Sequence, residues 1–312
     1  MISDPKGKKA FYKQLYVRFC RAYAIHLGDR PADAIYLFLC KLKFYTEHRY
    51  WPHLKNPRTF SEKIFHRMLF DRNPQWTMLS DKWRVRDYVA TRIGGEHLIP
   101  LLWEGESPER IPFAELPKRF VIKTNHGCGY NIIVEEKRSL DEEKVRRQLK
   151  EWLGTNFANS SFIGMAWAYR NIAPKILIEE FLEENGKVPI DYKLYCYAGR
   201  VEFIMMIFDR FDDPCEKVFD RDFHLVDLTT SWRRSTKNVE PPANFEKMLS
   251  LAESLAKGFD FMRIDLYNVG GRIYFGEYTL YPAAGLERYV PRKYDFIFGE
   301  KWYLPPRTKS RL

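Results

Sequence analysis

The sequence predicts an α+β protein in which helices come first and β-hairpins dominate the remainder. Two observations predict the hairpins: short apolar runs flank a polar, Gly-bearing loop within 119–134 and a tight turn at 268–271. A third predicts the helices, because apolar residues recur every three or four positions between Phe11 and about Tyr50. Strands and helices do not alternate regularly, so the pattern does not favour a parallel sheet.

The order of the other elements follows from the same signals. Thr59 or Ser61 can cap a helix over 62–70, and Gly94-Gly95 ends a second helix that starts at about Asp81. Strands are predicted at 119–123, 131–134, 175–179, 191–197, 201–208, 261–267 and 272–277, and further helices at 140–152 and 245–257.

The composition limits the kinds of partner. Of the 312 residues, 45% are hydrophobic, which is enough for most of the chain to fold, and the net charge of +10 implies an anionic partner. Nucleotide phosphates, an acidic polysaccharide, nucleic acid and an anionic membrane would all satisfy this charge. The basic residues between 11 and 50 leave two interpretations open, since such helices pack on their own domain or rest on a membrane surface.

The cysteines and the apolar runs exclude other classes of protein. The five cysteines are scattered without a CxxC pair, which argues against a zinc site or a disulfide framework. No apolar run approaches the ~20 residues that cross a bilayer, and the charged start lacks a signal-peptide core. We therefore expect a cytoplasmic protein.

The most informative group of residues lies on the last two predicted strands. Arg263 and Asp265 share one face of the first strand, and Glu277 and Thr279 share one face of the second. A tight turn between the strands brings both carboxylates together, and magnesium prefers such oxygen ligands, completed by phosphate and water. The alternative is that the two acids are solvated, but the apolar neighbours indicate covered strands, where unpaired carboxylates are costly.

A second group surrounds the loop of the first hairpin. Lys123 leaves a strand into the sequence Thr-Asn-His-Gly-Cys-Gly, and a Lys with several loop amides suits a polyphosphate. Such loops often bind nothing, so this motif alone is weak evidence. His126 and Cys128 lack an orienting carboxylate in the loop, and we expect His126 to order the loop through a hydrogen bond.

Two further segments suit a nucleotide. Phe181 and Leu182 follow a strand and offer apolar contacts to adenine, beside the acidic residues Glu179 and Glu180. Lys82 stands at a predicted helix start, where backbone amides favour phosphate. Either segment taken alone is equally consistent with an ordinary strand end and an ordinary helix cap.

In chain order these pieces resemble the ATP-grasp superfamily. The motifs Lys55-Asn-Pro-Arg-Thr-Phe-Ser-Glu-Lys63, Ser80-Asp-Lys82, Ile122-Lys-Thr-Asn-His-Gly127 and Gly276-Glu-Tyr-Thr279 are similar to the teichuronopeptide-synthesis branch of that superfamily. The resemblance extends over roughly residues 50 to 300. It implies two α+β subdomains that grip ATP between antiparallel sheets, with a helical N-terminal region.

The resemblance also implies residue roles. ATP would be bound by Lys82, Asn125, His126, Gly127, Gly129, Glu179, Glu180, Phe181 and Leu182. Lys123, Lys193 and Arg263 would be catalytic, and Asp265, Glu277 and Thr279 would hold Mg²⁺. Thr279 departs from the family, where Asn is usual, which leaves open a weaker second metal position. The implied divisions are a helical region (1–118), a lid subdomain (119–183), a core subdomain (184–303) and a basic tail (304–312).

The implied chemistry is carboxylate–amine ligation. A carboxylate would attack the γ-phosphate of ATP to give an acylphosphate, which an amine then intercepts to form an amide. The expected acceptor is a uronic acid or similar carboxylate of a cell-surface or capsule polysaccharide, joined to an amino acid. Two alternatives remain: a phosphotransferase acting on a glycan, and a non-catalytic basic module for nucleic acid or membrane. With the ligase, we expect no nucleic-acid partner, and a contact with the inner face of the membrane stays open.

Overall fold

The structure is a computed structural model that describes residues 34–160 and 166–304. Its strands form two largely antiparallel sheets, each with its own cluster of buried apolar side chains. This agrees with the α+β prediction. The predicted amphipathic segment from residue 11 to 33 and the tail beyond residue 304 lie outside the described residues.

In the described part, four helices precede the first strand. They are α1 (Ala34–His48), α2 (Phe60–Phe70), α3 (Gln75–Ser80) and α4 (Val85–Ile93). The Thr59 hydroxyl accepts from the Glu62 amide at 3.1 Å, and the Glu62 carboxylate accepts from the Thr59 amide at 3.2 Å, which forms a capping box. The cap of α2 is therefore Thr59, while the Ser61 hydroxyl donates to Asp295.

The prediction that a helix starts at about Asp81 is wrong, because α4 starts at Val85. Asp81 follows α3, and its carboxylate accepts from the amides of Trp83 and Arg84 at 2.9 and 3.2 Å. These bonds satisfy the amides of the turn between α3 and α4. Lys82 therefore lies in a turn between two helices, not at a helix start.

The smaller sheet has the strand order β1-β4-β2-β3. Its strands are β1 (Leu101–Gly105), β2 (Phe120–Thr124), β3 (Asn131–Val134) and β4 (Ile176–Glu180). Helix α5 (Glu142–Leu153) buries Val145 and Leu149 against this sheet, and α6 (Phe157–Ser160) follows. Strand β1 was not predicted: it lies in a segment assigned to the helical region, yet it forms the edge of this sheet.

The larger sheet has the order β11-β10-β5-β6-β7-β8, with β9 parallel to β7. Its strands are β5 (Asp191–Tyr197), β6 (Arg200–Phe208), β7 (Cys215–Asp220), β8 (Leu225–Val226), β9 (Arg233–Arg234), β10 (Phe261–Val269) and β11 (Arg272–Thr279). Helix α7 (Phe245–Ala256) packs on it, and α8 (Lys293–Lys301) comes last. The sequence did not predict β7, β8, β9 or α8.

The register of this sheet determines which polar side chains meet. Asp265 on β10 lies opposite Glu277 on β11 and opposite Lys193 on β5. Gly270 and Gly271 form the β10–β11 turn with φ values of 57° and 78°, a conformation that favours glycine. The predicted hairpin and its paired carboxylates are thus present. No helix in the described ranges has both the length and the apolar character needed to cross a membrane.

Candidate active site

A cleft with a volume of about 290 Å³ lies between the two sheets. The smaller sheet contributes Lys123 and Glu179 to its lining, and the larger sheet contributes Asp265 and Glu277. We call these two sides the lid wall and the core wall. The cleft therefore brings together residues from both halves of the sequence-predicted site.

The lid wall is organised around one buried carboxylate. Glu179 receives Lys123 Nζ at 2.5 Å on one oxygen and Arg86 Nη1 at 3.1 Å on the other. Arg86 is fixed further by the Ile99 carbonyl at 2.9 Å. Glu179 was predicted to frame adenine, but its side chain holds two cations in place. Arg86 was not predicted, because its partner lies 93 positions away in the sequence.

The loop after β2 is anchored at its base. The Asn125 amide group donates to Asp81 and to the Ala173 carbonyl, both at 2.9 Å, and its oxygen accepts from the Lys175 amide at 2.7 Å. His126 Nε2 lies 3.0 Å from the Trp152 carbonyl, at the end of α5. Asn125 and His126 are buried, so their side chains serve the shape of the loop.

The exposed tip of this loop is short. Cys128 and Gly129 are exposed and line the cleft, whereas Gly127 is buried. A side chain at Gly127 would come within 2.5 Å of the Tyr130 ring, so this position requires glycine. Gly129 has a φ of 76°, which also favours glycine. Of the loop residues predicted to bind ATP, Gly129 lines the cleft, next to Cys128.

Lys82 reaches the cleft from the turn between α3 and α4. Its ammonium donates to the Gly127 carbonyl, and its backbone amide donates to the Asn125 carbonyl at 3.2 Å. Burial lowers the pKa of Lys82, although the nearby Glu277 carboxylate opposes that shift. These contacts tie the turn to the loop after β2.

The predicted adenine segment lies at the end of β4, on the same cleft. Phe181 and Leu182 line it together with Val121 and Ile133 of the smaller sheet. The Arg119 guanidinium lies 4.2 Å from the centre of the Phe181 ring and fixes it by a cation–π contact. The Glu180 amide donates to the Pro100 carbonyl at 3.0 Å, and its side chain is exposed. Apolar side chains thus line this end of the cleft.

The core wall centres on Asp265. Arg263 donates to both its oxygens, with Nε–Oδ1 and Nη2–Oδ2 distances of 2.7 Å, and Lys193 Nζ lies 2.9 Å from Oδ2. Burial alone would raise the pKa of Asp265, but Arg263 and Lys193 hold it below its usual value. Two of the three cations predicted to be catalytic, Lys193 and Arg263, are thus paired with the predicted metal ligand.

Glu277 is the less constrained carboxylate of this wall. It accepts from the Thr279 hydroxyl at 3.3 Å and lies 3.8 Å from Arg263 Nη2. Arg263 also donates to the Thr279 hydroxyl at 2.9 Å. Together Asp265, Glu277 and Thr279 form an oxygen donor set of the type that Mg²⁺ prefers, and Glu277 lines the open cleft. The described residues contain no group of three or more His, Cys, Asp or Glu arranged to hold a metal by themselves. A Mg²⁺ ion bound by these three residues would take its remaining ligands from phosphate and water.

Besides Arg86, the residues Asp191, Arg210 and Tyr267 escaped prediction at the cleft or directly behind its wall. Asp191 is buried and binds Lys193 Nζ at 2.7 Å and Arg210, which extends the charged row from β10 to the β6–β7 turn. Tyr267 lines the cleft, and a Cβ atom at position 276 would lie only 3.2 Å from its ring, so Gly276 makes room for the ring. The period of two places Asp191 on the face of Lys193, which is a signal that the sequence already contained.

Comparison with known proteins identifies the family. A family model described as TupA-like ATPgrasp matches residues 62–303, which is most of the chain. The chain belongs to the TupA-like ATP-grasp family. Its fold is therefore the ATP-grasp fold, and the helical region precedes it as predicted. No curated protein matches the sequence.

The solved structures that resemble this chain have low sequence identity to it. D-alanine–D-alanine ligase from Bacillus anthracis complexed with ATP is 15% identical, with a TM-score of 0.38 over 65% of this chain and 54% of that one. The ATP-grasp ligase PsnB complexed with a minimal precursor is 14% identical, with a TM-score of 0.39 over 66% and 54%. This chain spans about half the length of each.

Proposed function

We propose that this ATP-grasp protein is a Mg²⁺- and ATP-dependent carboxylate–amine ligase that forms an amide bond. The observation that carries the proposal is one cleft with cations on the lid wall and carboxylates on the core wall. Lys82 and Lys123 suit the phosphates of ATP, and the apolar end at Phe181 and Leu182 suits adenine. Membership of the TupA-like family supports the same reaction class.

A carboxylate oxygen of the acceptor attacks the γ-phosphorus and ADP leaves, so the protein must neutralise charge and hold two anions in line. Lys123, Lys193 and Arg263 supply the positive charge. When bound at Asp265, Glu277 and Thr279, Mg²⁺ would neutralise phosphate charge. The amine then attacks the acyl carbon and phosphate leaves, and this step needs no protein nucleophile.

We propose an acidic glycan, such as one that contains a uronic acid, as the carboxylate substrate, and an amino acid as the amine. The net charge of +10 favours an acidic acceptor. We also propose a cytoplasmic reaction, because ATP is available there. The polysaccharide class follows from the resemblance to the teichuronopeptide branch.

The test is isothermal titration with a non-hydrolysable ATP analogue, with and without Mg²⁺, beside the Glu277→Gln variant. Gln keeps the size of the side chain and removes its charge. Mg²⁺-dependent binding by the wild type that is lost in the variant would support the site. Absence of binding under every condition would rule out a nucleotide-dependent enzyme.

A second measurement separates ligase from phosphotransferase. ADP release is followed with uronic acids and glycan fragments, with and without a mixture of amino acids, and the products are weighed by mass spectrometry. A product that contains the amine supports the ligase. A stable phosphorylated sugar formed equally well without amine would support the phosphotransferase instead.

A further inference from the structure

We infer that the outer face of α1, with the chain that follows it, is a docking surface for an anionic lipid bilayer. The inner face of this helix packs into the main core through Tyr36, Cys40 and Phe44, all buried. The outer face is different. It presents an apolar row, defined by four exposed side chains: Ile35 (55% exposed), Phe38 (56%), Tyr45 (37%) and Trp51 (46%).

The three rings of the apolar row are joined through Trp51. Trp51 stacks on Tyr45 at a centroid distance of 5.1 Å and on Phe38 at 6.2 Å. A single exposed apolar side chain is ordinary, but a contiguous row of this kind indicates an interaction surface. Trp and Tyr are the residues enriched where a protein meets the interface between lipid and water.

A basic rim, defined by Arg49, Arg288 and Arg292, borders the row. Arg49 is exposed and lies two positions from Trp51. The Arg292 guanidinium lies 4.2 Å from the ring centre of Tyr50, and Arg288 Nη2 lies 3.8 Å from Glu47 near the end of α1. Exposed cations beside interfacial aromatic side chains match a bilayer that carries anionic headgroups.

The same features disfavour other occupants. In a two-fold dimer built on this face, the basic rims of the two copies would meet and repel each other. Base stacking by nucleic acid requires free ring faces, whereas the rings of Trp51 and Tyr45 already stack on each other. A bilayer needs only the exposed edges of the row and tolerates its irregular shape.

Side-chain contacts join the docking surface on α1 to the rest of the domain. His48 Nε2, at the end of α1, lies 2.9 Å from the Gly285 carbonyl in the connection that follows β11. The Phe44 and Phe65 rings are 5.2 Å apart and join α1 to α2. Docking on a membrane would therefore fix the orientation of the whole domain. This inference does not depend on the nucleotide chemistry.

The experiment is co-sedimentation of the full chain, without nucleotide, with vesicles of phosphatidylcholine or of phosphatidylcholine mixed with phosphatidylglycerol. We expect binding to the anionic vesicles that weakens with salt, and much weaker binding to the neutral ones. The double variant Phe38→Ser/Trp51→Ser should bind about tenfold or more weakly, because it removes apolar contact area. Arg288→Gln/Arg292→Gln should lower binding only to the anionic vesicles.

The matched control is Trp232→Ser, since Trp232 is also exposed (39%) but lies beside β9 of the larger sheet, outside the apolar row. Its binding should equal that of the wild type. Wild-type protein that ignores anionic vesicles would overturn the inference, as would equal binding by the Phe38→Ser/Trp51→Ser variant. Light scattering that shows a wild-type dimer dissociated by this variant would assign the face to self-association instead.

Discussion

The two walls of the cleft differ in their balance of charge. On the lid wall, Lys123 and Arg86 share the buried carboxylate Glu179. Lys82 adds a third cation and the exposed Glu180 a second carboxylate, which leaves an excess of positive charge. The core wall is balanced, because three cations face three carboxylates in one row: Arg210, Asp191, Lys193, Asp265, Arg263 and Glu277.

This difference in charge indicates that the two walls suit different parts of the ligand. An excess of cations attracts phosphate, whereas a neutral row with one accessible carboxylate can admit a divalent cation without a large electrostatic penalty. The lid wall thus suits the anionic part of a metal–nucleotide complex, and the core wall suits its metal. The predictions for Asp265, Glu277 and Lys123 each test one side of this contrast, and the prediction for Glu216 concerns a buried carboxylate outside both walls.

The largest effect is expected at the centre of the core wall. Replacing Asp265 by Ala leaves Arg263 and Lys193 buried without their shared partner, and we expect a loss of about 3 kcal/mol in the free energy of unfolding. Urea denaturation measures it. Asp265→Asn, which keeps the size and some of the hydrogen bonds, should lose less. Equal stability of Asp265→Ala and the wild type would contradict the balanced-row description.

Glu277 tests metal binding apart from stability. Because it is partly exposed and accepts only a long hydrogen bond, Glu277→Gln should unfold at the wild-type temperature. We expect binding of the ATP analogue in the presence of Mg²⁺ to weaken about a hundredfold. Titration calorimetry and thermal unfolding of the same sample provide both readouts. Undiminished Mg²⁺ dependence would place the metal elsewhere.

Glu216 on β7 is a buried carboxylate whose side-chain hydrogen bonds come from an uncharged residue. Its oxygens accept from the Thr230 amide and hydroxyl, and burial raises its pKa from 4.5 to about 7. The folded state therefore binds more protons than the unfolded state between these values, and the stability contributed by Glu216 falls as the pH rises through them.

Glu216→Gln removes this dependence. We expect the variant to exceed the wild type by roughly 2 kcal/mol above pH 7, with the difference shrinking toward pH 4.5. Denaturation curves of both proteins over this pH range measure the difference. A constant difference at all pH values would mean that Glu216 does not titrate in this range.

Lys123 tests the excess charge of the lid wall. Lys123→Ala should weaken ATP binding about tenfold while leaving adenosine binding nearly unchanged, because only the phosphates lose a cation. Lys123→Arg should retain much of the affinity. Glu179 keeps Arg86 as a partner, so the fold should persist. Equal losses for ATP and adenosine would assign Lys123 a structural role.

The prediction from sequence was best where the evidence was local. The hairpin that carries Asp265 and Glu277, the strand and loop after Lys123, and the Thr59 cap all follow from period, turn residues and capping chemistry over short spans. Predictions were poorer for β1 and for β7 to β9. β1 lies at the edge of its sheet and pairs with the distant β4, and β8 and β9 have two residues each, so their own sequence carries little signal. β7 was missed although it has six residues and lies inside the larger sheet.

The sequence by itself determined the α+β class, the family and the chemical types at the site, because these depend on residue identity and short-range spacing. Only the tertiary structure decided that Glu179 holds Lys123 and Arg86, that Asn125 anchors the loop, and that Asp191 extends the charged row. Each of these outcomes depends on pairing between distant segments. A buried charge is costly unless a group of opposite charge lies beside it. The local sequence does not show which distant residue will be that partner.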